Sequence, residues 1–135
     1  MSEVDQVEVE AVHAANRAFY AALEERDLDA MGEVWEHSDR VLCTHPGWAS
    51  LHGWAAVASS WYALFTGGQR LQFIVTAARA VVVGDAGWVT CDENILSGRT
   101  SGTVAALNVF VRAGAEWRMV AHHGAAVAGR EPGPD

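Results

Sequence analysis

The chain has 135 residues, half of them hydrophobic and 19% charged, with a formal net charge of −8. That length supports one globular core and excludes two comfortable domains. The acid excess excludes the cationic surface that nucleic acid or an anionic membrane requires, no apolar run reaches the roughly 18 residues of a membrane helix, and the acidic start lacks a secretory pattern, so a cytoplasmic protein is expected.

Residues 4–25 read as a helix, because Val4, Val12, Ala15, Phe19 and Leu23 recur at near-helical spacing with charges between them. Asp27 is placed to cap a second, shorter helix whose apolar face is Leu28, Met31, Val34 and Trp35. "RVLCTH" is a short strand stopped by Pro46, and a loop follows. A third helix runs from Trp54 to Phe65 and ends at Gly67–Gly68. From Leu71 the period changes to two. LQFIVTAARAVVV, GWVTCDENILS, TVAALNVFVRA and EWRMVAHHGAAV are strands, and SGRTSG is the turn between the second and third. Three helices and one short strand before four long strands predict an α+β domain with an antiparallel sheet folded over the helices. It spans residues 1–128, and 129–135 are expected to be a flexible tail.

The last hairpin fixes a register. Gly114–Ala115 suits a two-residue type II′ turn. Arg112 then pairs with Trp117, Phe110 with Met119, Asn108 with Ala121 and Ala106 with His123. These pairs share one face, assigned to the inside, so Asn108 and His123 protrude into an apolar hollow of the make-up of a small-molecule pocket. Leu107, Val109, Val111, Arg118, Val120 and His122 fall on the other face, which is too apolar to leave exposed.

The stretch "VLCTHPGWASLHGW" crowds histidine, tryptophan and cysteine between residues 41 and 54. Alternation puts Cys43 and His45 on one face. A sheet-end histidine bonded to a carbonyl competes with a functional role for His45. His52 reads as a turn or helix-start residue. Trp54 and Trp61 read as core, while Trp48 stands in the loop where ligands are met. In "CDEN" polar groups on both faces read as a solvated strand end or as one face joining the pocket, in which case either Cys91 and Glu93 or Asp92 and Asn94 face inward. Cys43, His45, Cys91, Glu93 and His123 invite a metal reading, but no closed ligand set stands at recognisable spacing, so no metal and no cofactor are expected.

The order of helix, "RDLDAM" helix, "VLCTHPGW…LHGW", third helix and four strands ending in "WRMVAHHG" resembles the nuclear-transport-factor-two-like superfamily, in particular its SnoaL-like and ketosteroid-isomerase-like members. The match covers about residues 5–127. The resemblance implies a cone-shaped, cystatin-like α+β fold. It also implies a pocket between sheet and helices, and a homodimer through the outer face of the sheet. It puts His45 where the isomerases carry a carboxylate base. Asn108 stands where they carry a protonated aspartic acid, an arrangement that illustrates a tuned carboxyl group. Phe19, with Tyr20 beside it, falls where they carry a helix-one tyrosine.

The function expected is binding of a small apolar or carbonyl-containing molecule, with isomerase, lyase or cyclase chemistry. His45 is the expected general base, and Asn108 and His123 its hydrogen-bonding partners. Tyr20, Trp48, Trp61, Phe65, Glu93 and Phe110 are the expected ligand-contacting residues. The alternative is a non-catalytic dimeric ligand-binding or scaffold protein.

Overall fold

A computed structural model describes residues 2–68, 70–97 and 100–128. The expected tail at 129–135 and the tip of the SGRTSG turn, residues 98 and 99, lie outside them. Helix α1 spans Glu3–Glu25 and opens on a capping box, in which Ser2 and Asp5 exchange side-chain to backbone hydrogen bonds. It buries Val12, Asn16, Phe19 and Tyr20, one stripe at helical spacing. Arg26 takes a left-handed conformation to end it. Asp27 accepts from the Ala30 N–H and starts α2, Leu28–Val34, as its position predicts. Strand β1 is Leu42–Thr44, β2 is Leu51–His52 and α3 is Trp54–Thr66. The long strands are β3 Gln72–Val83, β4 Ala86–Ser97, β5 Thr100–Ala113 and β6 Glu116–Ala126.

The six strands form one curved sheet in the order β2-β1-β6-β5-β4-β3, and the helices cover its concave face to give an α+β cone. Three details differ from the sequence expectation. The loop after Pro46 contains β2, which pairs with β1. The β1–β6 pairing is parallel, which the long connection between these strands permits and a hairpin would not. Strand β4 ends at Ser97 as predicted, while β5 begins at Thr100 rather than Thr103, so the hairpin closes on a Ser97–Thr100 pair.

The Gly114–Ala115 turn holds as read. Gly114 has φ +65° while Ala115 stays at negative φ, the type II′ pattern. Arg112 pairs with Trp117 and Phe110 with Met119. Beyond that the predicted register fails. Val109 pairs with Ala121 and Phe110 with Met119, so Val120 is an extra residue in β6. This β-bulge reverses the strand's parity. Trp117 and Met119 face inward before it, and His122 and Gly124 after it. His122 is therefore buried opposite Asn108, and His123 is exposed beside Leu107. The inward assignment of His123 and the outward one of His122 are both corrected. A second bulge sits in β3, where Ala77 and Ala78 together oppose Cys91 and Ala77 has φ +58°.

The core packs Phe19, Met31, Trp35, Val41, Val57, Trp61, Phe110 and Met119 between helices and sheet. Helix α1 approaches the sheet closely at Gly87. A Cβ there would lie 2.9 Å from Val12 Cγ2 and 3.3 Å from the Val81 carbonyl oxygen. Gly87→Ala is expected to cost about 1–3 kcal/mol by overpacking, measured by urea denaturation.

Candidate active site

The inner face of the sheet carries a row of polar groups in an apolar setting. Register aligns Cys43, His122, Asn108 and Val89 across β1, β6, β5 and β4. On β4 the inward residues are Val89, Cys91 and Glu93, which settles the parity that the sequence left open. Helix α1 adds Asn16 and Tyr20 from above.

These side chains form one hydrogen-bonded array. The Tyr20 hydroxyl donates to Glu93 Oε2 at 2.5 Å and lies 3.3 Å from Cys91 Sγ. Asn108 Nδ2 donates to Asn16 Oδ1 at 2.8 Å and to the Tyr20 hydroxyl at 3.1 Å. With both of its amide hydrogens engaged, Asn108 presents only its oxygen to His122, 2.6 Å from Nδ1. His122 therefore carries its proton on Nδ1 and donates. Burial pushes the His122 ring down to about 3, reinforced by the neighbouring His45 and His123, so the ring is neutral at pH 7.

Glu93 is only 4% exposed. Burial pushes its carboxyl up to about 7, against the opposing pull of the Tyr20 hydroxyl. Burial foremost, then the Glu93 and Cys91 charges, holds Tyr20 as a phenol well above the usual tyrosine range. The array thus contains one group, Glu93, whose proton is shared evenly between bound and free near neutral pH. That is the tuning an acid–base group requires.

His45 stands apart from this array. Ser60 Oγ donates to the Val57 carbonyl and so accepts from His45 Nε2, 2.9 Å away. Cys43 Sγ is 3.6 Å from the same ring nitrogen. Burial pushes His45 down to about 4, against the near-neutral value its sequence role assumed. A base that weak at pH 7 is a poor proton acceptor. The ring is walled by Trp61 and Trp48, with centroids at 4.7 and 4.8 Å.

The structure brings together three of the expected site residues, Tyr20, Glu93 and Asn108, while Phe110 is fully buried in the core. It separates the others. His123 faces solvent. Trp48 is exposed beside His45. The Trp61 ring lies against both His45 and His122, and Phe19 lies against Trp61 and His122. Phe65 instead lines an apolar cavity of about 330 Å³ with Leu23, Arg26, Leu71 and Phe73. A separate cleft of about 320 Å³ between α1 and β3 is lined by His13, Asn16, Arg17, Tyr20, Val75 and Ala78. It reaches the polar array through Asn16 and Tyr20.

Asn16, Ser60 and His122 were not singled out from the sequence. The first two carried a signal, since each is a polar residue on the buried stripe of its helix, Asn16 between Val12 and Phe19 and Ser60 beside Val57 and Trp61. Among the described residues no group of three His, Cys, Asp or Glu side chains is placed to hold a metal ion, and no helix is long and apolar enough to cross a membrane.

A cone of sheet around helices, with a polar array buried in its concave face, defines the class. The chain belongs to the SnoaL-like domain family, whose model matches residues 12–129. It is similar to a Streptomyces avermitilis structure described as a candidate dehydratase of the nuclear-transport-factor-two-like family. They share 35% identity with a TM-score of 0.84, covering 92% of this chain and 99% of that one. A Thiobacillus denitrificans structure, described as a candidate calcium/calmodulin-dependent protein kinase type II association domain, is 38% identical with a TM-score of 0.79, covering 85% and 94%. The F-box protein SKIP8 of Arabidopsis thaliana is 31% identical over 84% of this chain and 48% of its own length. The chain thus spans about half the length of the curated relative it matches.

Proposed function

We propose that this protein binds a small carbonyl-containing molecule in the α1–β3 cleft and acts on it by acid–base chemistry of the isomerase, lyase or cyclase kind. The observation that carries this is the buried Tyr20–Glu93 contact of 2.5 Å, with Tyr20 also lining the cleft. While Glu93 is ionised, the Tyr20 proton is committed to it. Once Glu93 is protonated, its hydroxyl donates to the Tyr20 oxygen, and the Tyr20 proton is free to turn toward a ligand oxygen in the cleft. Tyr20 then protonates a carbonyl oxygen as a proton α to it leaves to water. Glu93 reprotonates Tyr20 and is itself reprotonated from solvent. Asn108 holds Tyr20 in place throughout. This reading moves the proton-handling role from His45 to Glu93, and the supporting polar role from His123 to His122. The name of the Streptomyces relative fits lyase chemistry.

The test is deuterium exchange at the carbon α to the carbonyl of cyclohexanone in D2O, followed by proton NMR. The protein is expected to accelerate exchange over buffer, and Glu93→Gln to lower that acceleration by about 100-fold or more. No acceleration by the wild-type protein overturns the reading.

The chain is also read as a cytoplasmic homodimer. Ile74, Val81, Val83, Leu96 and Leu107 are large apolar residues left exposed on the outer face of the sheet. The association-domain description of the Thiobacillus relative fits such a surface, which equally serves a non-catalytic scaffold. Light scattering is expected to give a dimer at micromolar concentration and a monomer for Leu107→Lys. A monomeric wild type ends this part of the proposal.

A further inference from the structure

We infer that the α1–β3 cleft selects ligands carrying a carboxylate a few bonds from the carbonyl, through Arg17 with His13 beside it. This rests on the cleft being the ligand site, and not on turnover.

Three features of the cleft point there. Its floor is polar and fixed, because Asn16 and Tyr20 are buried and tied into the array. Its far wall on β3 is Val75 and Ala78. Ala78 stands in the bulge where the strand bends, and its small side chain leaves the space open. Its rim carries the Arg17 guanidinium, with His13 beside it on the same face of α1 as Tyr20. Arg17 is one helical turn from Tyr20, so the two side chains start roughly 5–6 Å apart. A ligand whose oxygen meets Tyr20 therefore brings its third or fourth carbon toward Arg17.

Arg17 is available for that contact. Its ion pair among the described residues, Nη2 to Glu10 Oε1 at 2.8 Å, joins two side chains that are 64% and 67% exposed. Such a pair contributes little and is readily exchanged. The guanidinium keeps further N–H donors for a second carboxylate. The charge of −8 on the whole chain repels anions. Selection for a carboxylate must then come from a local cation, and Arg17 and His13 are the cleft's basic residues. The ligand class is a short-chain 4- or 5-oxo acid.

The probes are 4-oxopentanoate and its neutral counterpart pentan-2-one, with dissociation constants from protein-observed NMR titration. The wild type is expected to bind 4-oxopentanoate about tenfold or more tightly than pentan-2-one, the worth of one hydrogen bond to a charged group. Arg17→Gln is expected to bring the two within about threefold, chiefly by weakening 4-oxopentanoate. Ala78→Leu fills the cleft and is expected to weaken both. Equal affinity in the wild type, or a preference that survives Arg17→Gln, overturns the proposal. So does binding of either probe that Ala78→Leu leaves intact. Carboxylate-selective binding without deuterium exchange upholds this inference while ending the catalytic one. Exchange on cyclohexanone without selectivity does the reverse.

Discussion

Glu93→Gln is expected to make the protein more stable than the wild type at pH 8, by up to about 3 kcal/mol, with the advantage vanishing below pH 4.5. The carboxyl is raised from an ordinary 4.5 to about 7 by burial. Between those values the folded protein holds a proton that the unfolded chain has released. Raising the pH therefore pulls the equilibrium toward the unfolded chain, and stability is lost through pH 7. Gln cannot ionise, yet its amide oxygen still accepts from Tyr20, so the variant escapes the loss. His45 and His122 act in the opposite direction. Burial lowers both from 6.5, to about 4 and about 3. Below pH 6.5 the unfolded imidazoles take up protons that the folded ones refuse, so stability falls as the pH falls. Two histidines outweigh one carboxylate between pH 4.5 and 6.5, and the wild type is expected to be most stable near pH 6.5. Urea denaturation of both proteins at pH 4.5, 6.5 and 8 checks this. A variant less stable than the wild type at pH 8 means that Glu93 is paired favourably as a carboxylate and is not a poised acid.

Much of this arrangement was legible in the residues. The caps at Asp27 and Gly67 and the type II′ turn at Gly114 are local chemistry, and they sit where the sequence puts them. Asn108 stood out because a lone amide interrupts an apolar face, and it proved the centre of the array. What the residues hid was the bulge at Val120. Neither Val120 nor Ala121 demands a special backbone angle, so nothing in the stretch announces an extra residue. Because side chains alternate, that one residue exchanged His122 for His123 at the site. The parity of Cys91 to Asn94 was hidden for a related reason. Two residues of β3 oppose Cys91, and the β4–β5 pairing fixes which side faces in. The depressed basicity of His45 was hidden because it comes from Trp61 and Ser60, fifteen or so positions away in the chain, closing over the ring.

Removing the centre of the array should be the most damaging single change at the site. Asn108 is fully buried and makes three side-chain hydrogen bonds. Leu has nearly the same shape and none of the polarity. Asn108→Leu deprives Asn16 Oδ1 and the Tyr20 oxygen of a donor and the His122 Nδ1–H of its acceptor. Each stranded buried group costs about 1–3 kcal/mol. Hydrophobic gain from Leu offsets part of this, so the net loss is expected at about 3–5 kcal/mol, a melting temperature lower by roughly 10 °C or more. The loss should be shared rather than local. Asn16→Ala combined with Asn108→Leu is expected to cost less than the two separately, by about 1 kcal/mol, because Asn16 Oδ1 is no longer there to be stranded. Asn108→Asp separates polarity from charge. It keeps an acceptor for His122, but burial raises a carboxyl at this fully buried position as it does at Glu93, so the variant is expected to lose more stability at pH 8 than at pH 5 in urea denaturation. A loss below about 1 kcal/mol in Asn108→Leu, with additive behaviour toward Asn16→Ala, would mean that the four side chains pack independently. Tyr20 would then have no fixed orientation toward the cleft, and the proton relay from Glu93 would lose its geometric basis.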